Sequence, residues 1–139
     1  MTLANLLKIG QLKEHVTDAG ELARLLAAAE RGIADAQVKG ITPETRFDAA
    51  YRAIMQVALA ALMAQGYRPD THRPGHHMTI IQSLTLTLDV EPRRVAVLDT
   101  LRRKRNEVDY TGADVDESSV SACIDAARKL LQEVRRKIA

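Results

Sequence analysis

The segment Leu98–Gly112, LDTLRRKRNEVDYTG, holds the residue types best suited to chemistry. Counting about 100° per residue from Val95, the positions Leu98, Leu101 and Val108 cover roughly a third of a helix circumference, and Arg105 falls inside that arc. A guanidinium therefore stands where a leucine is expected. An unpaired buried charge is costly, so Arg105 pairs with an anion, snorkels to solvent, or faces an interface or cleft. Asp109, one turn on, is the local partner. Asn106 and Tyr110, also a turn apart, lie on the next strip of surface beside Arg102. This edge offers Arg102, Arg105, Asn106, Asp109 and Tyr110 as a binding set for an anion such as phosphate. In the plainer reading Arg105 and Asp109 form an intrahelical pair, the Tyr110 hydroxyl sits in water, and Arg102 to Lys104 are a solvated face.

Other candidates surround this segment. His76 or His77 is an alternative imidazole for the Arg105 site if the fold brings it near, and otherwise both are solvated rings on a first helical turn. His72 lies close in sequence, but Pro74 and Gly75 interrupt any helix between it and His76, and no Cys or paired carboxylate stands at ligand spacing, so no metal site is expected. Arg52 and Gln56 form either a polar strip over the motif or an ordinary solvent face. Cys123 sits on an apolar stripe and reads as an inert core thiol. The chain has no glycine-rich phosphate loop, nucleophile triad or dinucleotide fingerprint, and no cofactor is expected.

These residues need elements to hold them. The chain has 139 residues, 46% of them apolar and 27% charged, with seven Gly and four Pro, which describes a single globular domain and excludes collagen-like and low-complexity classes. Aromatics are scarce while Ala, Leu, Arg and Glu abound, which favours helix over sheet. Asp18 followed by Glu21 reads as a capping box opening a helix that Gly40 stops. Thr42-Pro43 opens a second helix, with a broad apolar face from Phe47 to Leu62, that ends at Gly66. Residues 67–75, with Pro69 and Pro74, read as a loop, and 76–90 as a helix whose threonines leave Leu84–Val90 ambiguous with a strand. Pro92 opens the segment carrying Arg105, which Thr111-Gly112 breaks, and Asp116 or Ser118 caps a last helix running nearly to Ala139. The expected architecture is all-α, an up-and-down bundle of four to five helices over 17–138, with 1–16 a short helix or arm.

The net charge of +2 is mild, but Arg93, Arg94, Arg102, Arg103, Lys104 and Arg105 meet one acid, Asp99, in that stretch, and Arg128, Lys129, Arg135, Arg136 and Lys137 follow later. One cysteine, no signal-peptide pattern and no uninterrupted apolar span point to the cytosol and away from membranes.

Arg105-Asn106 late in the penultimate helix of a small basic bundle resembles the HEPN superfamily, whose signature is Arg, often followed by Asn, then four to six residues and His. The stretches YRAIMQVALAALMAQGYRP, RPGHH and VLDTLRRKRNEVDYTG look like a bacterial branch in which Tyr commonly takes the His position, and the resemblance covers about residues 18–138. It implies a homodimer whose two motif helices line one shared cleft, with Arg105 steadying a phosphate. Tyr110 stands where the shortest signature has His, and a phenol is a poor base at neutral pH, although it can donate a hydrogen bond. The resemblance thus implies binding of RNA or a nucleotide, with ribonuclease activity degenerate or absent. Two other functions stay open: a non-catalytic toxin-antitoxin-type protein with an antitoxin-like partner, and a plain helical dimerisation module.

Overall fold

The computed structural model describes residues 1–138 and is an all-α bundle with one minute sheet. Seven helical segments run along the chain, α1 (Leu3–Lys8), α2 (Ala19–Ala36), α3 (Pro43–Ala64), α4 (His76–Gln82), α5 (Leu84–Thr87), α6 (Pro92–Thr111) and α7 (Glu117–Ile138), and of these α2, α3, α6 and α7 are long. Two three-residue strands, β1 (Leu12–Glu14) and β2 (Tyr67–Pro69), pair antiparallel with Leu12 opposite Pro69.

Capping chemistry sets most boundaries. The Asp18 carboxylate accepts the Glu21 amide at 2.8 Å, the Thr42 hydroxyl accepts the Thr45 amide at 3.4 Å with Pro43 opening α3, and Asp116 accepts the Ser119 amide at 2.9 Å at the head of α7. The expected capping box at Asp18 is only half made. The Glu21 carboxylate turns instead to His15 at 2.6 Å and Thr17 at 2.7 Å, tying the end of β1 to α2. Gly112, at φ +69°, closes α6 where the sequence breaks.

Three sequence expectations are corrected. First, α2 ends at Ala36, before Gly40. Second, the 67–75 loop contains β2, which finds its partner in β1 within the presumed arm, a pairing between segments too distant for local reading. Third, the helix expected over 76–90 is broken at Ser83, whose buried hydroxyl bonds back to the Ile80 carbonyl at 2.7 Å, and nothing in Leu84–Val90 is a strand.

α3 is the centre of the molecule: it packs on α2 and α7 most extensively and also touches α4, α5, α6 and β2. Phe47, Tyr51, Ile54, Val57 and Leu62 are fully buried along it, against Ile81, Leu84, Val120, Leu130 and Val134 from other elements. Its alanines let neighbours come close, and α2 answers with Gly32, where an added Cβ would lie 3.0 Å from the Ala49 carbonyl oxygen. α3 is also the helix whose length and apolarity would suit a bilayer, yet 67% of its apolar window is buried inside the bundle, as in the core helix of a soluble protein.

One buried cation rivets the ends of three helices. Arg46, 8% exposed, donates from Nε to the Ala36 carbonyl at 2.7 Å and from Nη1 to both Glu117 oxygens at 2.9 and 3.1 Å. Beside it the Glu44 carboxylate accepts the Val115 amide at 3.0 Å.

Candidate functional site

Arg105 leaves α6 toward α3 and meets three groups there. Its guanidinium carbon lies 5.4 Å from the centre of the Tyr51 ring, a cation–π distance. Its Nε donates to Asp48 Oδ1 at 3.3 Å and sits 3.4 Å from Asp109 Oδ2, so the intrahelical partner expected from sequence is present, joined by one from a helix far away in the chain. Among the described residues no hydrogen bond leaves either Nη of Arg105, whose side chain is 30% exposed. Asp48 is shared, since Arg52 Nη2 reaches its other oxygen at 3.4 Å.

His77 approaches the same ring from α4. Its Nδ1 shares a hydrogen bond with the Tyr51 hydroxyl at 3.4 Å, and the two ring centres are 6.2 Å apart. His76 packs edge-on against His77 at 4.8 Å. Burial pulls the His77 pKa below its ordinary value, helped by the charges of His76, Arg105 and Arg102, so its imidazole is neutral at pH 7. Burial pushes the Tyr51 hydroxyl up to about 12, against the opposing pull of Arg105 and Arg102, and the phenol stays protonated. A fixed cation, a protonated phenol and a neutral imidazole thus converge from α6, α3 and α4. Asp48 and Asp109 already offset the Arg105 charge, so what the set can offer a phosphate oxygen is hydrogen-bond donors, beside a neutral imidazole.

The remaining members of the expected set divide. Arg102 is largely buried and spends its Nε on Asp99 at 2.8 Å, adding positive potential behind Tyr51. Asn106 is half-buried. Tyr110 is 88% exposed: five residues at about 100° each carry it roughly 140° round the helix from Arg105. The structure therefore joins Arg105, Asp109 and His77 but holds Tyr110 apart. Arg52 and Gln56 line a hollow of about 250 Å³ with Arg31 and Asp35 of α2, so beyond the Arg52–Asp48 contact they face α2. His72 turns to Asp70, its amide at 3.0 Å and Nδ1 at 3.3 Å. Cys123 is fully buried, its thiol pushed up to about 12 by that burial, which makes it the inert core thiol expected.

The basic run reads differently once folded. Arg94 is bound by Glu133 of α7 at 2.6 and 3.0 Å, Arg103 reaches Asp99 at 3.0 Å, and Arg93 lies 3.8 Å from Glu91. Among the described residues, Lys104 is the cation between positions 93 and 105 with no ion pair. Sequence counting saw one acid in that stretch and missed Asp48 and Glu133, which the fold delivers from α3 and α7. Tyr51 was missed too, because a buried aromatic on an apolar face reads as core; its only signal was the hydroxyl that a buried position must satisfy.

No protein-family model matches the chain, and no curated protein matches it.

Proposed function

We propose that this chain binds a phosphate-bearing ligand, RNA or a nucleotide, at the Arg105–Tyr51–His77 cluster, in the cytosol and as a homodimer, without efficient turnover. The observation that carries the reading is the guanidinium itself. Arg105 is fixed by its cation–π contact and an Nε bond, with both Nη groups free of hydrogen bonds among the described residues, which is the donor arrangement suited to two oxygens of one phosphate. The resemblance to the HEPN superfamily agrees with it, and the exposed Tyr110 in place of the signature His speaks for binding over cleavage.

Fluorescence anisotropy with a labelled single-stranded RNA and with a labelled nucleotide tests this. Binding should weaken steeply with salt and fall at least about tenfold in Arg105→Ala, with the circular dichroism spectrum unchanged. Wild-type protein that binds neither probe at low salt, or Arg105→Ala that binds like wild type, overturns it.

A second reading rests on the in-chain pairing of the α6 cations: a plain helical dimerisation module that uses the cluster only as structure. A dimer by light scattering that binds no RNA or nucleotide selects it.

A further inference from the structure

A cavity of about 550 Å³ lies between α1 and the α4–α5 pair and is lined by none of the residues around Arg105. Its volume falls within the range of about 300–1,000 Å³ common to small-molecule sites. Among the described residues no Asp, Glu, Lys, Arg or His side chain lines it, while Met1, which does, carries an α-ammonium. Four of the nine large exposed hydrophobic residues line it: Met1, Ile9, Met78 and Leu86. Exposed apolar side chains gathered in one concave place mark a binding site more often than a scattered few do.

The walls are built to stay apart. α1 buries none of its residues, so it stands off from α4 instead of collapsing onto it. Arg73 holds that separation by donating from its guanidinium to the Ile9 and Gly10 carbonyls at the end of α1, just before the Pro74-Gly75 turn that forms the rim. The polar side chains of the lining are neutral. Thr79 donates its hydroxyl to Gln11 Oε1 at 3.3 Å, which leaves the Gln11 amide nitrogen to donate elsewhere. Gln82 is exposed on the lining, with a side-chain carbonyl and amide that enter no hydrogen bond among the described residues. Met78 is flexible and polarisable, suited to fitting an apolar surface of irregular shape.

We infer that this cavity binds a small amphiphile, its apolar body against Ile9, Met78 and Leu86 and its hydroxyl or carbonyl head on Gln82 or Gln11. The inference is independent of the Arg105 cluster.

The chain carries its own reporters. Of its four methionines Met1 and Met78 line the cavity, while Met55 and Met63 lie in the core away from it. Full-length protein labelled at the methionine methyls is titrated with 1-octanol. The expected result is a saturable shift of the Met78 signal by octanol with Met55 and Met63 unmoved, and loss of the shift in Leu86→Lys and in Ile9→Lys. Both positions are exposed, so the lysines leave the core intact. Arg105→Ala should bind octanol as wild type does. A Met78 signal that stays put up to the solubility limit of octanol, methionine signals that all drift together, or an unchanged shift in both lysine variants overturns the inference.

Discussion

Replacing Arg105 by methionine and, in a second protein, Arg46 by methionine puts one apolar side chain into two guanidinium positions of opposite kind. Arg105 is 30% exposed and its partners Asp48 and Asp109 are 39% and 52% exposed. Pairs that open to water contribute about 0.2–1 kcal/mol each, and a partly exposed cation–π contact about 0.5–1 kcal/mol. Burial of the methionine stem against Tyr51 returns part of that, so the net loss should stay below about 1.5 kcal/mol. Arg46 is different. Its side chain is 9% exposed, and its removal leaves the carbonyl of Ala36, a residue with no exposed surface, without its partner. A buried acceptor stripped of its donor costs about 1–3 kcal/mol, and the charged bond to Glu117 adds to it, for about 3 kcal/mol in all. Urea unfolding followed by circular dichroism reads both. With a slope of about 1.5 kcal/mol per M, the Arg46 variant should lose about 2 M of midpoint and the Arg105 variant less than about 1 M. Equal losses would refute the reasoning, because Arg105 would then be a structural rivet like Arg46 and its conversion to alanine could not report on ligand binding.

Four further outcomes are expected. Thr87 is 3% exposed and its hydroxyl has no partner among the described residues, so Thr87→Val should raise stability by about 1 kcal/mol in the same urea assay. Gly32→Ala gains helix propensity of about 1 kcal/mol, but its methyl meets the Ala49 carbonyl oxygen at 3.0 Å, a backbone atom that cannot swing away, so the variant should be less stable than wild type. His77 has a folded pKa below its ordinary 6.5, so at neutral pH both states are uncharged there, and as pH falls below 6.5 the unfolded chain takes up the proton first and stability declines; His77→Asn should flatten this part of the stability profile between pH 7 and 5. Cys123 should react with a thiol reagent only after denaturant is added, at a rate set by unfolding.

The fold was legible where the signals were local. Asp18, Thr42-Pro43, Pro92 and Gly112 each act within a turn of the helix they bound, and the alternation of Val120, Cys123, Ile124, Ala127 and Leu130 can bury only one face. What was hidden is what the chain assembles from a distance. The Leu12–Pro69 pairing, the Arg94–Glu133 bond and the Asp48–Arg105 contact join residues tens of positions apart, so no window along the sequence contains both partners. The candidate site follows the same division. Arg105 was conspicuous because its charge contradicts its helical phase, and Asp109 because it is one turn away. His77 could be named only as an alternative imidazole, since its approach to Tyr51 depends on how α4 crosses α3. Tyr110 was grouped with Arg105 by sequence spacing, although helical phase sends the two side chains to different faces.

The rivet at Arg46 also decides how the molecule comes apart. Its Nε bond can form within the α2–α3 hairpin alone, but Glu117 arrives only when α7 lies down on α3. A chain ending after α6 would leave the Arg46 guanidinium without its carboxylate, together with the bare apolar flank of α3 that Val120, Ile124 and Leu131 normally cover. The last helix is therefore no appendage. Loss of its docking removes hydrophobic cover and counter-charge at one stroke, which couples the last helix to the α2–α3 hairpin in a single cooperative unit.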